Sequence, residues 1–211
     1  ENVRGVSGKD VDKVAMELSD CDIAAVSVGQ KGLPQAIATL AEGLKLRRKK
    51  SGNQPLDIIL AENLRDADQY AKGILQKILG KEFPLNELVG LVETSIGKMV
   101  PIMPNEIQEK DCLLVYAEPY NTLILDKKAF KNPIPDVAGL APKDNMKAWV
   151  DRKSHIHNFG HAAAAYAGFL AEPHAIYLAD VLKNKTVKKF ARSAMLQSAE
   201  VLMRKHPGEF T

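Results

Sequence analysis

Apolar and polar positions in the first half of the chain follow two patterns, one typical of buried strands and one typical of helices. Short, nearly continuous apolar runs at residues 23–28, 56–61 and 88–92 predict strands, whereas apolar residues recur at helical spacing in residues 33–46 and 66–79. Strands that are apolar almost throughout are typical of a parallel sheet with helices on both faces. We therefore predict an α/β fold, a Rossmann-like doubly wound sheet.

The second half of the chain changes character after a proline-rich passage at residues 133–142, which predicts a linker. Two further apolar runs precede the passage, at residues 113–117 and 123–125. Apolar residues after it recur at helical spacing in three stretches, residues 146–170, 176–182 and 187–205. We therefore predict two domains, an α/β domain at residues 1–142 and a mainly α-helical domain at residues 143–211.

Composition and charge exclude several classes of function. Hydrophobic residues make up 45% of the chain, charged residues 26%, and the formal net charge is only +3, which is ordinary for a globular protein. The one basic cluster, residues 46–50, has few aromatic neighbours and is interpreted as the solvated end of a helix rather than a nucleic-acid site. No apolar run is long enough to span a membrane. Two cysteines without a pairing pattern favour a reducing compartment, the cytoplasm.

Chemistry-bearing residues follow the predicted strands and cluster at the start of the helical domain. In a doubly wound sheet, ligands bind beyond the carboxyl ends of the strands, so Gly29 and the Glu62-Asn63 pair are candidates. The segment 153–161, KSHIHNFGH, contains three of the five histidines in the chain. On an α-helix, Lys153, His161 and Asn158 would lie at about 0°, 80° and 140°, on one broad face.

Three interpretations of this polar face remain open from the residues alone. His157 and His161, spaced i, i+4, could share a metal ion, but Asn158 stands where a helical zinc protease has its glutamate. The histidines could instead be hydrogen-bonded residues of a helix packing surface. In the third interpretation, Lys153 is buried, its pKa falls, and it accepts a proton from an alcohol while Asn158 donates to the oxygen.

The motifs around this face resemble those of the mannitol dehydrogenase family, the long-chain polyol dehydrogenases that work without metal. The spacing Lys153-x4-Asn158-x2-His161, followed by Ala165-Tyr166-x-Gly168, resembles the family signature. Further similarity covers nearly the entire chain, in segments 61–64, 89–94 and 100–101. The segment 144–153 is most similar to the mannitol-1-phosphate 5-dehydrogenases.

The resemblance implies an NAD-dependent oxidoreductase that transfers a hydride between a polyol or sugar phosphate and the nicotinamide, with mannitol 1-phosphate and fructose 6-phosphate as the best-fitting pair. It implies that Lys153 is the general base, that Asn63 and Asn158 are amide donors to the reacting oxygen, and that His161 contacts the substrate. The residues that it implies at the cofactor are Val28, Gly29, Glu62 and Asn63. It implies no metal, and the composition and the length of the apolar runs already argue against a nucleic-acid or membrane partner.

Departures from the family pattern keep alternatives open. Gly97-Lys98 stands where the family has Asp-Arg, and no Gly-x-Gly-x-x-Gly motif occurs. We expect residues 1–142 to be the remainder of a dinucleotide-binding domain without its first βαβ unit, and residues 143–211 to be the start of a helical catalytic domain without its C-terminal part. We expect residues 1–211 alone to be inactive. The alternatives are a mannitol 2-dehydrogenase, a hexuronate reductase, a non-catalytic remnant or a histidine-cluster metalloprotein.

Overall fold

The structure, a computed structural model, describes residues 3–210. The chain divides into two compact units, Glu1–Asp144 and Asn145–Thr211. No helix of the described residues combines the length and the apolarity that crossing a membrane requires.

The first unit contains a five-stranded sheet in the order β1-β2-β3-β4-β5. All neighbouring strands pair in parallel except β3 and β4, which are antiparallel. The strands are β1 Ile23–Val26, β2 Leu56–Leu60, β3 Val89–Ser95, β4 Leu123–Asp126 and β5 Leu140–Lys143. The helices of this unit are α1 Val11–Asp20, α2 Gly29–Ser51, α3 Ala67–Leu79, α4 Leu85–Leu88 and α5 Asn105–Lys110. The predicted α/β class with a mostly parallel, Rossmann-type sheet is confirmed.

The central strand β2 is buried along its whole length because both faces of the sheet are covered. Leu56, Ile58 and Leu60 pack with apolar residues of α2 and α3. Ile59 points to the opposite face, where it joins Val92 of β3 and the buried cluster around β4. This alternation follows from the two-residue period of a strand, and it explains the continuous apolar run in the sequence.

Two expectations for the first unit, those for residues 133–142 and for Arg47, were wrong. The passage at residues 133–142, predicted to be a linker, ends within β5, which pairs with β4 from Leu123↔Leu140 onward. The apolar run at 113–117 forms no strand, and its residues are exposed. Arg47, interpreted as part of a solvated helix end, is buried, and its guanidinium donates to backbone carbonyls of Ser19, Cys21, Gln54 and Pro55 at 2.7–3.1 Å.

The second unit consists of helices. Three helical segments follow one another without a break: α6 Met146–Arg152, a π-helical segment Lys153–Asn158, and α7 Phe159–Ala171. The short helix α8 Leu178–Val181 and the long helix α9 Lys185–Lys205 complete the unit. Ala163 and Ala164 of α7 form a small buried cluster with Ala191 of α9, since small side chains let the two helices approach closely.

Candidate functional site

The turn after β1 is connected to the end of β2 by a buried carboxylate. Val28 donates its backbone N–H to Oε1 of Glu62 at 2.7 Å, and Glu62 is only 6% exposed. Gly29, the first residue of α2, has φ +74°, a conformation that favours glycine, and the space around its Cα is open. Three of the four predicted cofactor residues, Val28, Gly29 and Glu62, therefore lie together at the carboxyl ends of β1 and β2.

The fourth predicted cofactor residue, Asn63, is exposed in the loop between β2 and α3. Both ends of this loop are held by glutamates, Glu62 at its start and Glu93 of β3 at its finish. Oε1 of Glu93 accepts a hydrogen bond from the backbone N–H of Asp66 at 2.7 Å, and Asp66 has the left-handed φ of +55°. The two carboxylates therefore fix the loop that presents Asn63.

Glu93 has a raised pKa, first because burial removes water from its carboxylate and second because the charge of Asp68 lies nearby. The role of Glu93 in holding this loop was not predicted from the sequence, although the sequence contains a signal for it. An acidic residue inside the apolar stretch 89–94 must find a partner or remain protonated.

The predicted catalytic residues of the second unit lie on a π-helical turn rather than on a regular α-helix. The backbone N–H of Phe159 reaches the carbonyl of Ser154, five residues back. A π turn contains more residues than an α turn, so each residue rotates by a smaller angle and Asn158 lies closer to Lys153 around the axis. The α-helical estimate of about 140° between them is therefore too large.

Contacts with α9 support the π-helical turn. A π turn leaves carbonyls outside the α-helical pattern, and the carbonyl of His155 accepts a hydrogen bond from Oγ of Ser198 at 2.5 Å. Immediately before the turn, the fully buried Asp151 accepts through Oδ2 from Nζ of Lys205 at 2.8 Å and contacts Nε2 of His206 at 2.9 Å. The C-terminal part of α9 and the residue after it therefore hold the segment that carries Lys153.

Lys153 is half-buried and its pKa is lowered, because burial disfavours the charged ammonium. Asn158 and His161 are both exposed. Neutral lysine accepts a proton and the asparagine amide donates hydrogen bonds, so this face has the groups that alcohol oxidation requires. Lys153, Asn158 and His161 belong to the second unit, whereas Asn63 and the predicted cofactor residues belong to the first.

His157 and His161 are neighbours, as their spacing predicts. Their rings meet edge to face with centroids 4.7 Å apart. Within residues 3–210, no group of three or more His, Cys, Asp or Glu side chains has an arrangement that could hold a metal ion. Both histidines line a cavity of about 500 Å³ between the π segment, α7, α8 and α9, which we call the α9 cavity.

Comparison with known proteins identifies a family whose model this chain matches and two solved structures with a similar fold. Residues 1–139 match the family model described as the mannitol dehydrogenase Rossmann domain. Pseudomonas fluorescens mannitol 2-dehydrogenase, solved as a ternary complex with NAD and D-mannitol, has 15% identity and a TM-score of 0.70 over 90% of this chain. A substrate-free D-sorbitol dehydrogenase has 17% identity and a TM-score of 0.67, also over 90% of the chain. The chain spans only 47% and 52% of those two structures.

Proposed function

Because this chain belongs to the mannitol dehydrogenase family, we propose that it is part of a metal-independent oxidoreductase acting on polyols or sugar phosphates. The observation that carries the proposal is the pair Lys153 and Asn158, one π turn apart, with the pKa of Lys153 lowered. We propose mannitol 1-phosphate and fructose 6-phosphate as the substrate pair, on the similarity of residues 144–153 to that branch of the family.

In this proposal, Lys153 removes the proton of the substrate hydroxyl as a neutral amine. Asn158 donates its amide hydrogens to the same oxygen, where negative charge develops, and Asn63 is a second donor from the first unit. His161 hydrogen-bonds another hydroxyl of the substrate and so fixes which carbon faces the cofactor. Each of these contributions is of a kind that is stronger in the transition state than in the ground state.

We further propose NAD as the hydride acceptor. The described residues fit its nicotinamide half, since the exposed turn at Val28-Gly29 and the exposed Asn63 lie beyond the carboxyl ends of parallel strands. The open space beside Gly29 leaves the backbone accessible to a ring. The free thiols of Cys21 and Cys112 are consistent with a reducing cytoplasm, which we propose as the location.

The test is the spectrophotometric reduction of NAD by the intact protein with mannitol 1-phosphate, mannitol and a hexonate as separate substrates. We expect activity with the sugar phosphate, retained in the presence of a chelator. The proposal is wrong if none of the three substrates reduces NAD or NADP. Preference for mannitol or for the hexonate would instead identify a different substrate within the same family.

A further inference from the structure

The α9 cavity has a basic wall that the proposed catalytic groups do not explain. His157 and His161 line one side, and Lys188 and Arg192 of α9 line the other. Lys153 and Asn158 are not among the lining residues, and no carboxylate of the described residues lines the cavity. Two cationic side chains therefore border the cavity next to His161, and the proposed base does not line it.

The charges of Lys188 and Arg192 are not neutralised within residues 3–210. Both side chains are exposed, and neither forms an ion pair with a described carboxylate. They are spaced i, i+4 on one face of α9, an arrangement in which like charges repel. The rest of the lining is largely apolar, including Ile156, Leu178 and Met195, so an anion would meet the two cations at the exposed rim of the cavity.

The position of Lys188 along α9 is also unfavourable without a ligand. Lys188 is the fourth residue of the helix, whose first turn contains no acidic residue. The N-terminus of a helix carries partial positive charge, so a cation in its first turn is destabilising, whereas an anion is stabilised. A bound anion would offset both the repulsion between Lys188 and Arg192 and the interaction of Lys188 with the helix dipole.

We infer that Lys188 and Arg192 bind the phosphate group of a sugar phosphate substrate, an inference that rests on the proposed function. In mannitol 1-phosphate, the phosphate lies at the end of the carbon chain remote from the oxidised C5. The phosphate site must therefore be separate from Lys153 yet continuous with a residue that contacts the chain, and His161 lines the cavity. Arginine forms paired hydrogen bonds with phosphate oxygens, and lysine adds a point charge.

The experiment compares Arg192→Ala and Lys188→Ala with Lys189→Ala in the intact protein. Lys189 is adjacent, exposed and equally charged, but it does not line the cavity. We expect Arg192→Ala to lower the ratio of kcat/KM for mannitol 1-phosphate to that for mannitol by about 10- to 100-fold, the range for a lost hydrogen bond between charged groups. Lys188→Ala should lower the same ratio less, Arg192→Lys should partly restore it, and Lys189→Ala should leave it unchanged.

A second measurement is independent of activity. Inorganic phosphate, at constant ionic strength, should raise the thermal unfolding midpoint of the parent and of Lys189→Ala more than that of Arg192→Ala. The inference would be overturned if Arg192→Ala lowered kcat/KM equally for both substrates, so that their ratio did not change. Phosphate stabilisation of the same size in all variants would also overturn it. If the parent oxidises no polyol but phosphate stabilises it through Arg192, the proposed function fails and the anion site stands.

Discussion

Lys153 is the residue on which the proposed chemistry depends. Burial lowers its pKa, so the neutral amine is more abundant at a given pH than for a solvated lysine. We predict that polyol oxidation rises with pH through an ionisation below the unperturbed lysine value of about 10.4. Lys153→Met should abolish this ionisation and lower kcat/KM by about 10² to 10⁴, the usual contribution of a positioned base. The measurement is the pH dependence of kcat/KM.

Asn158→Ala is the matched variant for this measurement. It removes a donor to the developing oxyanion, which should cost about 10² to 10³ in rate, but it should keep the pH dependence due to Lys153. If Lys153→Met retains near-parental activity with an unchanged ionisation, another group is the base, and His161 is the next residue to substitute.

The adjacent histidines provide a prediction about metal. Neither His157 nor His161 has a carboxylate placed to complete a site within the described residues, and two imidazoles alone do not make the three-ligand set of a catalytic zinc. We predict less than stoichiometric zinc by elemental analysis of the purified protein, and activity that survives dialysis against a chelator. If the protein held one zinc per chain tightly and lost activity when the zinc was removed, lysine as the general base would be contradicted and metal catalysis would be indicated.

Glu93 provides a prediction about stability and pH. Its folded-state pKa is raised, so the folded state binds its proton more tightly than the unfolded state does. The resulting stabilisation is present below the unfolded value of about 4.3 and is lost as pH rises through the folded pKa. Glu93→Gln keeps an oxygen acceptor for Asp66, so it should reduce the fall in unfolding free energy between pH 4 and pH 7. Glu106→Gln, an exposed glutamate of the same unit, is the control.

At the scale of elements, the tight packing of α7 depends on its glycines. A Cβ on Gly168 would lie 2.0 Å from Cγ1 of Val181 in α8, and one on Gly160 would lie 2.6 Å from Sδ of Met195 in α9. These distances are too short for a side chain. The close approach holds α8 and α9 around the α9 cavity, so Gly168 of the signature and the neighbouring Gly160 both shape the site.

We therefore predict that Gly168→Ala lowers the free energy of unfolding by about 1–3 kcal/mol, the usual cost of overpacking. Gly73→Ala in α3 is the matched control, since nothing lies within 4 Å of its added Cβ. It should stabilise by about 0.5–1 kcal/mol, because alanine is the better helix former. Urea unfolding of both variants measures the difference. An unchanged stability for Gly168→Ala would contradict the packing of α7 against α8.

At the scale of the whole molecule, the first unit depends on an interaction between segments distant in sequence. Asp57, 2% exposed on β2, accepts hydrogen bonds from the backbone N–H groups of Lys131 and Asn132 and from the Asn132 side chain at 2.8–3.0 Å. The interaction connects the central strand to the chain between β4 and β5. A Cβ at Gly90 on β3 would lie 2.0 Å from Oδ1 of Asp57, so the carboxylate also requires a glycine beside it.

We predict that Asp57→Ala destabilises the protein by about 1–3 kcal/mol, because it removes the buried acceptor of three hydrogen bonds from Lys131 and Asn132. Asp57→Asn should cost less, since one oxygen remains to accept. The exposed Asp22→Ala should stay within about 0.5 kcal/mol of the parent. The measurement is the unfolding free energy from denaturant titration, and a cost for Asp57→Ala no greater than that for Asp22→Ala would refute the role of the carboxylate.

The sequence by itself determined the elements whose signals are local. Apolar runs identified β1 to β3, and helical periodicity identified α2, α3 and the helices of the second unit. These predictions succeeded because burial on both faces of a sheet, or along one face of a helix, requires a regular pattern of apolar residues at nearby positions in the sequence. The spacing of Lys153, Asn158 and His161 likewise indicated the family to which the chain belongs. The roles of these residues at the site stay predictions.

Only the tertiary structure decided the features that depend on distant partners. β5 lies within a proline-rich passage and forms a strand because β4 offers it an edge. The π turn has its freed carbonyl satisfied by Ser198 of α9, and nothing in residues 153–158 encodes that contact. Four carbonyls from two segments distant in sequence surround the guanidinium of the buried Arg47. Lys188, Arg192 and His161 line the same cavity. Hydrogen bonds and charge clusters join residues far apart in sequence, so local periodicity cannot reveal them.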